Sequence, residues 1–136
     1  MTRSLAHNAH TVVAWLFVVC CVVQVFLAGL GVFDDPGAFI THREFGYAFG
    51  WLTLVLLLLA VVGRMGRRQV SLAVLMFGLF ALQSVFVALK VSYPIVAALH
   101  PLNGFAILFV AISAARLSLA TRPGRADERR VATEAV

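Results

Sequence analysis

Pro36-Gly-Ala-Phe-Ile-Thr-His42-Arg-Glu-Phe-Gly46 returns later in the chain as Pro94-Ile-Val-Ala-Ala-Leu-His100-Pro-Leu-Asn-Gly104. Both stretches fit Pro-x5-His-x3-Gly, and proline, histidine and glycine are each displaced by the same 58 residues between His42 and His100. The match runs on, with Tyr47 over Phe105, Ala48 over Ala106 and Trp51 over Phe109. Upstream, Gln24 and Gln83 each stand as a lone amide in a long apolar run, 12 and 11 residues before the two prolines. A motif repeated with its flanks at one period is an internal duplication that has kept its histidine.

Working outward, the 136 residues are 62% hydrophobic and 12% charged, with a mean hydropathy of +0.97. A soluble domain carries about a quarter charged residues, so this composition belongs to a bilayer. The stretch 1–10 is polar. The apolar run from Thr11 to Phe33 is long enough to cross a hydrocarbon core of about 30 Å and is read as a retained span rather than a signal peptide. Asp34-Asp35-Pro36-Gly37 is a turn. A second span is expected from about His42 to Gly63, a basic loop over Arg64–Gln69, and a third span from about Val70 to Ser92. A fourth begins near Pro101, a residue suited to a first helical turn, and ends between Ala115 and Leu119. The expected organisation is a cytoplasmic N-terminus (1–10), an all-α four-span bundle over 11–119 built from two helical hairpins (11–69 and 70–119), and a disordered cytoplasmic tail (120–136). The adjacent Cys20 and Cys21 lie in the apolar run and read as buried, unbridged thiols.

Charge sets the expected orientation. Arg3, Arg64, Arg67, Arg68, Arg116, Arg122, Arg125, Arg129 and Arg130 fall at one side, nine of the eleven basic residues. An excess of this kind places both termini in the cytoplasm of a bacterial cell, with Arg43 and Lys90 alone in the outer half. The net charge of +5 is thus accounted for by topology and lipid contact and excludes a nucleic-acid patch.

Each repeat is a pair of spans, so the two copies cross in the same sense and are related by an axis along the membrane normal. Helices 2 and 4 of an up-down-up-down bundle are diagonal, roughly 11–14 Å apart, and His42 and His100 face each other across the centre. That gap suits imidazole, a flat macrocycle and imidazole, and is too wide for direct contact between the rings. Gly46 and Gly104, one turn deeper on the same faces, are expected to clear space for the ring, with Gly50 extending the stripe. Two histidines are too few for zinc, and Glu44 points elsewhere. They are what the iron of haem b requires, since the macrocycle supplies four nitrogens of its own. No C-x-x-C-H is present, so attachment is not covalent. Arg43 and Lys90 are candidate partners for the propionates, and Gln24 and Gln83 could bond a ligand histidine or serve as interhelical polar contacts. His7 and His10 are expected to be solvated, and Trp15 and Tyr93 to lie in the interfacial belt.

His42-Arg43 opening one span, and Leu99-His100-Pro101-Leu102-Asn103-Gly104 opening the next but one, resemble the haem-ligand helices of heme A synthase. That family has two four-helix halves with histidines on the second and fourth helix of each, and this chain resembles one half over residues 11–119. The family's first half carries a glutamate one turn before a ligand histidine; here Phe39 stands there, and the second bundle is absent. The resemblance therefore implies a haem-binding fold rather than the synthase reaction.

The function expected from the sequence is a b-type membrane cytochrome with one haem on His42 and His100 near the outer leaflet, an electron-transfer or haem-binding subunit rather than a stand-alone enzyme. Its expected partners are lipid and a larger respiratory or redox complex or a quinone. The alternatives are a structural accessory subunit and a haem carrier or assembly protein. A reporter fused after Asp35 or Ala97 should read outside, and one after Met65 or at the C-terminus should read cytoplasm. A cytoplasmic reading after Asp35 would put the histidines on the wrong side.

Overall fold

A computed structural model describes residues 2–122 of the chain. Four long helices, each apolar enough to cross a membrane, form one bundle, and the described residues contain no strand. Helix α1 spans Thr2–Phe33, α2 Ala38–Val62 and α3 Arg67–Ala88; a single turn, α4 (Pro94–Ala97), leads into α5 (His100–Ala120). Helix α1 packs on α2 and α5, and α3 packs on the same two. The diagonals are therefore α1 with α3 and α2 with α5. This is a multi-pass membrane bundle of two repeated hairpins. The tail expected beyond Arg122 lies outside the described residues.

Local chemistry fixes the helix ends. Asp34 and Asp35 both donate their backbone N–H to Leu30 O, closing α1, while the Asp35 carboxylate accepts the N–H of Gly37 at 2.8 Å and opens α2. Helix α2 ends in a Schellman arrangement: Met65 N–H bonds Ala60 O and Arg64 N–H bonds Val61 O, both at 2.9 Å. The left-handed residue this needs is Arg64 (φ 47°), where glycine would be less strained. Pro94 and Pro101 each occupy a first helical turn, where no amide hydrogen is missed.

The repeat is visible in the core. With an offset of 59 between α1 and α3 and of 58 between α2 and α5, Ala14 falls on Ala73, Phe17 on Met76, Phe49 on Ile107 and Leu56 on Ala114, and all eight are buried. Phe17, Phe49 and Phe80 meet at mid-bundle with ring centres 5.2–6.1 Å apart. On α5, Ala111, Ala114 and Ala115 let the backbones approach closely. Close approach matters here because lipid tails give helices no hydrophobic reason to associate. The many exposed valines, leucines and phenylalanines face the hydrocarbon phase. Cys20 and Cys21 are buried and unbridged.

The helix boundaries differ from the sequence reading where polar residues join helices. Helix α1 begins at Thr2 rather than Thr11, at 32 residues long. His10, expected in solvent, is fully buried. The physical reason is a set of partners from two other helices. Ala114 O accepts from Gln69 Nε2 at 3.1 Å, so this amide nitrogen is the donor that meets His10 Nε2 at 3.3 Å. His10 therefore carries its proton on Nδ1 and donates to Ser118 Oγ at 3.2 Å. Thr11 gives its hydroxyl proton to His7 O at 2.9 Å, so Ser118 donates to Thr11 Oγ1 at 2.7 Å. His7, also expected in solvent, is half-buried, and its Nδ1 is enclosed without a partner.

This chain holds α1, α3 and α5 together at the end of the bundle that carries the N-terminus. Ser118→Ala, which strips the acceptor from a buried imidazole N–H, should cost about 1–3 kcal/mol. His10→Ala should cost at least as much, because it also leaves a hole. Denaturant unfolding in mixed micelles measures both. A His10→Ala variant as stable as wild type would contradict the assigned network.

Candidate functional site

At the opposite end of the bundle, the two motif histidines stand in or beside the first turns of the diagonal helices α2 and α5. Both are half-buried, and their ring centres are 6.2 Å apart with planes at 61°. This is much closer than the helix axes alone suggested, because both side chains reach inward from facing helices. The repeat thus brings His42 and His100 together.

Each histidine is held by the glutamine of its own hairpin through a reciprocal exchange with the backbone. Gln24 on α1 donates from Nε2 to His42 O at 2.7 Å, and His42 Nδ1 lies 3.0 Å from Gln24 O. In the second hairpin, Gln83 on α3 donates to His100 O at 3.0 Å, and His100 Nδ1 lies 3.4 Å from Gln83 O. A carbonyl can only accept, so both imidazoles carry a proton on Nδ1; His100 Nε2 lies 3.4 Å from the Gln83 amide nitrogen, and no described residue hydrogen-bonds the Nε2 of His42. Ligand histidines are prepared this way: the second ring nitrogen donates to a carbonyl, which fixes the tautomer and makes the ligating nitrogen more basic.

The spacing fits one ion between the rings. An imidazole nitrogen sits about 2 Å from a transition metal, which puts the centres of two rings on opposite sides of one ion roughly 6 Å apart. Among the described residues no group of three or more histidine, cysteine or carboxylate side chains forms a metal site. Two nitrogens satisfy an iron whose remaining ligands come from a macrocycle, and leave zinc short. By donor set, tautomer and spacing, the residues present fit a haem iron.

The glycines act differently from expectation. A Cβ on Gly46 would stand 2.9 Å from Gln24 Nε2, one on Gly104 would stand 3.5 Å from Gln83 Nε2, and one on Gly50 would collide with the Phe80 ring. The Gln24 amide and the Phe80 ring thus occupy the faces at Gly46 and Gly50, while the face at Gly104 stays open to a methyl group. Arg43 is exposed and turned onto its neighbour Glu44, with which it forms an ion pair at 2.8 Å. Lys90 is exposed in the turn after α3. Phe39 stacks edge-on to His42 with ring centres 6.3 Å apart.

One contributor is absent from the sequence reading. Asn103, buried on α5, donates from Nδ2 to Leu79 O at 2.9 Å and to Gln83 Oε1. It lies three residues after His100, and the repeat sets Phe45 in its place in the first hairpin, so the duplication pattern itself hid it. For the His10 network the signal was present: the displacement that lays Gln24 on Gln83 also lays His10 on Gln69.

A family model described as a family of unknown function, DUF6220, matches residues 24–89. The matched segment starts at Gln24, takes in His42 and Gln83, and ends before His100. No curated protein and no solved structure matches the chain.

The two glycines provide a test. Alanine at Gly104 meets only an ordinary contact and should gain helix stability of up to about 1 kcal/mol. Alanine at Gly46 displaces the Gln24 amide, and the lost bond of about 0.5–1.5 kcal/mol should cancel that gain. Unfolding midpoints compare the two variants. Equal stabilisation by both would show that the Gln24 amide does not depend on the missing side chain.

Proposed function

We propose that this protein is a membrane b-type cytochrome in which His42 and His100 hold the iron of one haem from opposite faces. The observation that carries the reading is the duplicated Gln–His exchange, which commits both Nδ1 protons to carbonyls and sets the two rings 6.2 Å apart, with only a long 3.4 Å amide contact on the Nε2 of His100. A polar, ionisable pair kept inside a membrane bundle is a functional site by default. When bound, haem supplies one-electron exchange, and two nitrogen axial ligands keep its iron low-spin.

The chain's own residues then have separable tasks. His42 and His100 bind, Gln24 and Gln83 orient them, and Asn103 holds Gln83. Phe39 sets an apolar edge against His42. Arg43, released from Glu44, and Lys90 are the cations available to propionates. In this reading the histidine end faces the outside of a bacterial cytoplasmic membrane, as the arginine distribution favours. The chain would be a relative of one half of heme A synthase that kept the haem bundle without the glutamate-dependent chemistry. Its redox partners would be a quinone or a larger respiratory complex.

Detergent-purified protein from haem-supplied cells should carry about one haem per chain, with a low-spin absorption spectrum. Replacing either histidine with alanine should shift the spectrum toward high spin or release the haem. A colourless protein, or a histidine variant with an unaltered low-spin spectrum, would contradict the proposal.

A further inference from the structure

The two halves of the site are not equal, and we infer that His100 is the exchangeable member of the pair: its Nε2 has a second partner in the Gln83 amide, so it can withdraw from a shared iron while His42 stays, opening one position to a small neutral ligand of the carbon monoxide class. This rests on the haem-binding reading above and deepens it.

Three observations point the same way. First, His42 is the more firmly oriented ring, with its exchange bonds at 3.0 and 2.7 Å against 3.4 and 3.0 Å for His100. Second, Gln83 Nε2 lies 3.4 Å from His100 Nε2, whereas no described residue hydrogen-bonds the Nε2 of His42. At that length the contact is weak, but it gives the lone pair somewhere to go. Third, the Gln83 amide cannot turn over. Asn103 donates to its Oε1, so its amino group is the end that faces His100. Asn103 is itself buried and fixed on Leu79 O at 2.9 Å. Gln24 has no such clamp. Phe45 occupies the equivalent position, and the Gln24 Oε1 is buried without a partner.

A lone pair serves one partner at a time. For His100 the choice lies between an ion and a pre-oriented N–H, and the second state leaves nothing buried and unsatisfied. If His42 withdrew, its lone pair would meet no described donor, which is the costlier outcome. The alternate state is therefore built into the second hairpin alone.

The experiment is carbon monoxide binding to the reduced, haem-loaded full chain in nanodiscs, followed by absorption. Wild type should bind carbon monoxide slowly, at a rate limited by His100 withdrawal. His100→Ala should keep haem and bind carbon monoxide without that delay, whereas His42→Ala should lose the haem. Gln83→Leu removes the alternate partner and should slow binding about tenfold relative to wild type, the weight of one hydrogen bond. Asn103→Leu leaves Gln83 in place but frees its amide, and should slow binding in the same direction.

Carbon monoxide rates that Gln83→Leu and Asn103→Leu both leave unchanged would overturn the inference. So would a His42→Ala variant that is the one to retain haem. If no haem loads, the earlier reading fails, and 15N NMR of the full chain still decides the asymmetry. The Nε2 of His100, and not that of His42, should show a hydrogen-bond shift that disappears in Gln83→Leu. Identical shifts for the two rings would contradict it.

Discussion

Each hairpin of this bundle is closed by one reciprocal exchange between a glutamine and a histidine. The amide of Gln24 or Gln83 donates to the carbonyl of a histidine in the next span, and that histidine's Nδ1–H donates to the carbonyl of the same glutamine. In a low-dielectric setting none of these groups can be left alone without cost. The exchange therefore ties α1 to α2 and α3 to α5, commits both Nδ1 protons, and brings the two rings to 6.2 Å. Gly46 follows from it, since a side chain there would stand where the Gln24 amide passes, whereas Gly104 has room for a methyl group.

Much of this was legible from the residues. The duplication located both histidines, both glutamines and the diagonal pairing of their helices, because a fixed displacement in sequence becomes a rotation axis in a bundle. The role of the glycines was not legible. A missing side chain signals that something comes close, without saying what, and here it is a glutamine amide rather than a flat ring. Asn103 escaped because it breaks the repeat, with Phe45 as its counterpart. His10 escaped because its neighbours in sequence are polar, and helical periodicity was not followed above Thr11. Its burial depends on Gln69 and Ser118, which arrive from 59 and 108 residues away.

The two ends of the bundle now differ in kind. At the end with the N-terminus, His10, Thr11, Gln69 and Ser118 form a directional chain in which each hydrogen has a stated acceptor, an arrangement that rigidifies the packing of three helices. At the other end the hydrogen bonds hold two imidazoles through Nδ1, and on Nε2 there is only the long contact between Gln83 and His100. Neither end is fully paired, since Gln69 Oε1 and His7 Nδ1 at the first and Gln24 Oε1 at the second are buried without a partner.

The central claim is that His42 and His100 are the two axial ligands of one iron. Near-infrared magnetic circular dichroism of the oxidised, purified chain identifies axial ligand pairs directly. The account predicts a low-spin ferric signal of the bis-imidazole type, abolished in the His42→Ala, His100→Ala double variant. A signal assigned to any other ligand pair, or a bis-imidazole signal that survives the double replacement, would contradict it.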